Sequence, residues 1–305
     1  MKKLTDIQVV EVCQRYISGE ASTTLAKHFN VSPVAIRGLL KRRNIERRGQ
    51  VAAQRKYTHN EAFFSSIENE EQAYWLGFIA ADGYISSSNN SSNAALVVSL
   101  AMKDIEHLYR LQKALQSNHP IKEYIYSKVQ FARLFIRSKQ LTDDLASYGI
   151  VAAKTFTFNW PILPEKLLVP FLRGYVDGDG GFYINSNKKD FKRANYTNHI
   201  FSVTSNKLFI EACQQFLMEK CALLQTKLDQ RHTNIPIFTL RYSGRQQCLR
   251  IGKLLYEGAT IYLPRKRNCV LSFDNAAKNI RQNHLASRGT SAGSRLFVNA
   301  PIVEL

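Results

Sequence analysis

Residues 171–184 read FLRGYVDGDGGFYI, an apolar helix that runs into two aspartates set among glycines. A helix C-terminus carries partial negative charge, so carboxylates there are disfavoured unless something positive sits beside them. Gly180 and Gly181 suit a helix stop, because glycine enters left-handed backbone at little steric cost. Asp177 and Asp179 need a separate reason.

The pattern occurs twice. Residues 74–85 read YWLGFIAADGYI, and Gly77, Asp82 and Gly83 align with Gly174, Asp179 and Gly180. Asp82 and Asp179 are 97 residues apart, the size of a small domain. Ala80 stands where the second copy has Asp177, so only Asp82 and Asp179 belong to the shared requirement. Within each copy two small residues lie four apart, Gly77 with Ala81 and Gly174 with Gly178. Positions i and i+4 share a helix face, and small-residue stripes let two backbones approach closely. If the stripes face each other, the helices lie side by side and Asp82 meets Asp179. Two carboxylates and two negative helix ends then repel, and a hard divalent cation such as Mg²⁺ resolves the conflict.

Charge points to the substrate. The 305 residues carry 42 Lys+Arg against 24 Asp+Glu, a net charge of +18, which favours a polyanionic partner, nucleic acid before membrane. Metal held by acids in a basic protein points to phosphodiester hydrolysis, with metal polarising the phosphate, activating a water and stabilising the leaving oxygen. No apolar run approaches the roughly 20 residues of a membrane span, and the opening MKKLTDIQVV has no signal-peptide core. A cytoplasmic, DNA-associated protein is expected. Cys13, Cys213, Cys221, Cys248 and Cys269 are odd in number and form no C-x-x-C pair, which suggests neither a disulfide framework nor a zinc site.

Working outward, the chain divides into five parts. Residues 1–48 read as three short helices, the third opened by Ser32 as N-cap and Pro33 at the first turn. Ile36, Leu39 and Leu40 face inward and Val34, Arg37 and Lys41 outward, the pattern of a helix-turn-helix domain presenting a basic third helix to DNA. Residues 49–62 read as a basic linker, 63–160 and 161–274 as two αββαββα repeats, and 275–305 as a polar tail. The fold class is therefore α/β (α+β), a duplicated αββαββα unit behind a small all-α domain. In each repeat a hairpin offers a polar face at period two: Lys122, Tyr124, Tyr126 and Lys128 in one, Gln225, Lys227, Asp229 and Arg231 in the other. Arg133 and Arg241 in the return strands join this set of candidate DNA contacts.

WLGFIAADG and LRGYVDGDG resemble the two motif copies of a LAGLIDADG homing endonuclease of the single-chain type, and the lead-in FFSSIENEEQAYWLGF fits the same family. The resemblance covers about residues 63–273. It implies two four-stranded antiparallel sheets forming a saddle over duplex DNA, the motif helices at its centre, and cleavage of both strands of a long site. It makes Asp82 and Asp179 the catalytic metal-binding acids and counts Ala81 and Gly178 in the same metal site. Mg²⁺ is the implied cofactor, with Mn²⁺ able to substitute and Ca²⁺ supporting binding without cleavage. It also implies a basic residue late in each repeat, for which Lys154 and Lys266 are the candidates, with Arg265 or Arg267 as alternatives to Lys266. The chain is expected to act as a free-standing monomer with internal pseudo-two-fold symmetry. The alternative functions are a non-catalytic DNA-binding transcriptional regulator on the same scaffold and an RNA-splicing maturase.

Overall fold

A computed structural model describes residues 4–45, 56–86, 94–186, 197–230 and 234–273. The chain forms two compact units, Met1–Thr58 and His59–Leu305. In the first, helices α1 (Asp6–Ile17), α2 (Ser22–His28) and α3 (Pro33–Arg42) enclose a core of Val12, Tyr16, Leu25, Ala26, Ile36, Leu39 and Leu40. Thr5 and Gln8 close a capping box on α1, and Ser32 Oγ accepts from Ala35 N–H at the start of α3.

The second unit holds both repeats. Its first half runs α4 (Glu70–Asp82), β1 (Gly83–Ser86), β2 (Ala95–Ala101), α5 (Ile105–Ala114), β3 (Lys122–Tyr126), β4 (Val129–Arg137) and α6 (Lys139–Ser147). The second half runs α7 (Glu165–Asp179), β5 (Gly180–Ser186), β6 (Thr197–Asn206), α8 (Lys207–Cys221), β7 (Asp229–Gln230), β8 (Ile237–Ser243) and α9 (Arg245–Tyr256), followed by α10 over residues 264–273. Each half makes a four-stranded antiparallel sheet, ordered β1-β2-β4-β3 and β5-β6-β8-β7. The registers correspond: Gly83 faces Val98 in one sheet and Gly180 faces Val203 in the other.

Period-two burial explains the sheets. Ala132, Leu134 and Ile136 point inward from β4 while Phe131, Arg133, Phe135 and Arg137 alternate outward. One buried core runs from Phe63 to Phe273 through both halves. Its centre is the α4–α7 pair, and α4 is buried along nearly its whole length, from Ala73 to Ala80. Among the described residues no helix is long and apolar enough to cross a membrane. All five cysteines are free.

Three expectations need correction. The second compact unit begins at His59, so residues 59–62 belong to the body; Asn60 N–H donates to the Leu115 carbonyl at 2.8 Å. The glycines after the motif aspartates do not take left-handed backbone: Gly83 has φ −85° and Gly180 φ −103°, both extended, so each helix passes straight into a strand. Glycine is needed there for room, since a Cβ on Gly83 would lie 2.8 Å from the Ile79 carbonyl oxygen. Finally, Gln225 and Lys227 are not on a strand, because β7 covers only Asp229–Gln230. The Thr226 carbonyl is instead taken by Gln214 Nε2 at 2.7 Å, a side chain of α8 replacing a ladder partner. Arg231, residues 49–55 of the basic linker and the polar tail lie outside the described residues.

Candidate active site and nucleic-acid interface

The site is built on the crossing of α4 and α7. A Cβ at Gly77 would fall 2.0 Å from the Phe171 carbonyl oxygen, and one at Gly174 would fall 2.0 Å from the Tyr74 carbonyl oxygen. The approach is reciprocal, and no side chain larger than hydrogen fits on either side of it. Further along, a Cβ at Gly178 would lie 2.4 Å from Ala81 Cβ and 3.4 Å from the carboxyl carbon of Asp82. The two helices thus stay close to their C-terminal ends, where Asp82 and Asp179 are the last helical residues.

Electrostatics follow from that convergence. Burial first, and the neighbouring Asp179 second, push the Asp82 carboxyl up to about 6. Burial also raises Asp179. Two lysines offset this charge. Lys154 and Lys266 are 8% and 6% exposed, unusually low for lysine, and both sit near the carboxylates. Burial lowers Lys154, and brings Lys266 down to about 8. Lys154 Nζ donates to the Gly83 carbonyl. Lys266 Nζ shares its three protons among the carbonyls of Val176 (2.8 Å), Asp177 (2.6 Å), Gly178 (2.9 Å) and Gly180 (2.7 Å). An ammonium at these helix ends satisfies orphan carbonyls and opposes the helix dipole.

Arg265 and Arg267 are directed elsewhere. Arg265 Nε bonds both carboxylate oxygens of Asp104 at 3.0 Å, and Arg267 Nη1 donates to Tyr262 Oη at 2.7 Å.

A divalent cation fits this donor set. Among the described residues no group of three or more His, Cys, Asp or Glu is placed to hold a metal. Two carboxylates, Asp82 half-buried and Asp179 exposed, would leave the remaining positions of Mg²⁺ to phosphate and water oxygens, the arrangement it commonly takes. The Gly178 carbonyl gives one lone pair to Lys266 and keeps the second.

Sequence comparison of the repeats set Asp177 aside, and the structure gives it a part. It is 1% exposed. Its Oδ2 accepts from Tyr74 Oη at 2.8 Å and from Leu263 N–H at 2.7 Å, and its Oδ1 accepts from Tyr256 Oη at 2.7 Å. His107 Nε2 lies 2.8 Å from Tyr74 Oη; because the tyrosine proton goes to Asp177, the imidazole donates. Burial holds His107 down at about 3, so it is neutral. Beside this chain, Arg173 reaches Glu70 Oε1 at 2.6 Å and the Leu255 carbonyl at 2.9 Å.

The sheets carry the groove-facing candidates. Lys122 stands opposite Arg133 in register, and Tyr124 opposite Phe131. Two cations directly opposite repel, a cost that a bound phosphate would relieve. Arg133 lies over the Tyr124 ring at 4.4 Å and donates to Ser99 Oγ at 3.0 Å. Tyr126 is exposed, whereas Lys128 sits in the tight turn with Ser127, both at positive φ of 66° and 48°. In the second sheet Arg241 pairs with Asp229 at 3.0 Å and both line a cleft of about 570 Å³ with Tyr183, Ser202, Thr204 and Thr239. Gln225 and Lys227 line a neighbouring cleft with the same pair. In the N-terminal unit Val34 (67% exposed), Arg37 and Lys41 share the outer face of α3.

Two antiparallel sheets flanking a closely crossed helix pair, each helix ending in aspartate, define the LAGLIDADG meganuclease fold. Residues 69–146 match the model of the LAGLIDADG-like domain. A lysine-to-alanine mutant of the meganuclease I-SmaMI is similar at TM-score 0.50 and 16% identity, over 74% of this chain and 96% of that one. Its double lysine-to-alanine mutant is similar at TM-score 0.50 and 15% identity with the same coverage. The LAGLIDADG meganuclease I-AabMI bound to uncleaved DNA gives TM-score 0.48 and 13% identity, over 71% and 92% of the two chains. The replication factor C small subunit of Methanocaldococcus jannaschii is 30% identical over 121 residues, 39% of this chain but only 6% of that protein. The chain therefore spans a small fraction of that curated relative.

Proposed function

We propose that the chain is a site-specific DNA endonuclease that hydrolyses both strands of a long duplex target with a divalent cation held by Asp82 and Asp179. The observation that carries this reading is the meeting of two carboxylates, Asp82 half-buried and Asp179 exposed, with two buried lysines at one end of a helix crossing, in a chain of net charge +18. Mg²⁺ bound there would supply Lewis-acid activation of the scissile phosphate and of a water. The carboxylates hold the cation, with the Ala81 and Gly178 carbonyls beside them. Lys154 and Lys266 keep the helix ends neutral enough to accept a polyanion, and Lys122, Tyr124, Tyr126, Lys128 and Arg133 of the first half with Gln225, Lys227, Asp229 and Arg241 of the second track the groove and backbone. The three-helix unit extends the contact as a helix-turn-helix, with Val34, Arg37 and Lys41 toward DNA. The whole acts as a monomer.

The test is selection on a randomised duplex library, loading in Ca²⁺ and chasing with Mg²⁺ or Mn²⁺. Release of ends at one long site, absent with Asp179→Asn, supports the endonuclease. Tight selection of one site without cleavage in either metal supports a regulator instead.

A further inference from the structure

We propose that Asp177 is a positioning residue that fixes Lys266 in the second half of the site, and that the first half has no counterpart to it. The inference deepens the endonuclease reading and rests on it only for its consequence in cleavage.

The geometry forms a closed loop. The Asp177 carboxylate accepts the backbone N–H of Leu263 at 2.7 Å. The carbonyl of that same Leu263 accepts from Lys266 N–H at 3.0 Å, at the first turn of α10. The Lys266 side chain then turns back, and its Nζ donates to the Asp177 carbonyl at 2.6 Å. Tyr256 Oη, from the end of α9, completes the grip on the carboxylate at 2.7 Å. The segment between α9 and α10 is therefore tied to the motif helix at the residue two before Asp179. Charge-assisted bonds of this kind are shorter and stronger than neutral ones, and a buried carboxylate with all its partners in place holds one arrangement.

The first half reaches its lysine by another route. Ala80 occupies the position of Asp177. Lys154 opens a 3₁₀ turn (Lys154–Phe156) behind Ala153, whose backbone is left-handed at φ 58°. Its ammonium has the Gly83 carbonyl as acceptor, against four carbonyls for Lys266. The two halves therefore hold equivalent charges with unequal support.

Lys154 serves as the internal control. In the full chain, reductive methylation with formaldehyde and borohydride, read peptide by peptide by mass spectrometry, should find both lysines protected. In Asp177→Asn, Lys266 should react several-fold faster while Lys154 keeps its protection. Tyr256→Phe, which leaves the carboxylate and its bond to Leu263, should keep Lys266 protected. Equal protection of Lys266 in Asp177→Asn and the wild type overturns the proposal. So does equal exposure of both lysines in that variant, which marks Asp177 as a support for the whole core. With the selected duplex, Asp177→Asn should accumulate a nicked product with one strand cut preferentially. Failure of the wild type to cut any duplex removes the endonuclease reading and leaves the lysine result standing.

Discussion

Lys154 and Lys266 deliver their ammonium groups to corresponding carbonyls, those of Gly83 and Gly180, although they sit 72 and 87 residues after their respective motif aspartates. The endpoint is shared while the connecting chain differs. Lys154→Met and Lys266→Met should each impair cleavage far more than binding, because neither side chain is exposed enough to track the DNA backbone. Binding measured in Ca²⁺ and turnover measured in Mg²⁺ separate the two effects. Loss of binding equal to the loss of turnover would make these lysines phosphate contacts.

Asp82 should make the metal-free protein more stable in mild acid. Its carboxyl titrates near 6 in the fold against an ordinary value of 3.8. Between those values the folded state holds more protons than the unfolded one, so this contribution is fully present below 3.8 and is lost as pH rises through about 6. Asp82→Asn should flatten that slope and raise the melting temperature at pH 7.5 by a few degrees while abolishing cleavage. A lower melting temperature in the variant would show that the carboxylate is not strained.

The same repulsion predicts how the protein responds to metal. Mg²⁺ should raise the melting temperature of the wild type at pH 7.5, less at pH 5, and not at all in Asp82→Asn. Calorimetry with and without chelator distinguishes this from a general salt effect, for which equal shifts in wild type and variant would be the mark.

Gly77→Ala and Gly174→Ala should each destabilise the fold by about 1–3 kcal/mol or more, the range for overpacking a tight interior. Both methyl groups would meet backbone, which cannot rotate away. Urea unfolding reads the effect directly, and a loss smaller than that of Gly181→Ala, which meets nothing within 4 Å, would contradict the crossing geometry.

Removal of residues 1–58 should weaken DNA binding and flatten its salt dependence, since fewer phosphates are neutralised. Plots of log affinity against log salt, with and without the unit, test this; identical slopes would take the three-helix unit off the DNA.

The helix crossing is legible in the sequence because its cause is local: four-residue spacing of Gly77 with Ala81 and of Gly174 with Gly178 is visible in any copy. The strands are legible for the same reason, as with Ala132, Leu134 and Ile136 at period two. What is not legible acts at long range. Asp177 draws its partners from 103, 79 and 86 residues away, and comparison of the repeats discards it because Ala80 does not share its chemistry. Arg265, Lys266 and Arg267 carry the same charge in a row, and only their acceptors tell them apart. The polar alternation from Gln225 to Arg231 reads as a strand, but Gln214 claims the Thr226 carbonyl and pairing begins only at Asp229.

The bond between Tyr74 and Asp177 joins two positions that are not equivalent, because the repeat places Phe171 opposite Tyr74 and Ala80 opposite Asp177. A symmetric enzyme assembled from two first halves would bury tyrosine hydroxyls with only the His107 imidazole left to accept their protons. One assembled from two second halves would bury carboxylates held by Tyr256 and Leu263 but lacking the tyrosine donor. Each lost bond to the carboxylate costs about 1.5–3 kcal/mol. The halves are thus complementary mates, and a designer seeking a palindromic cutter from this chain must rewrite both positions together.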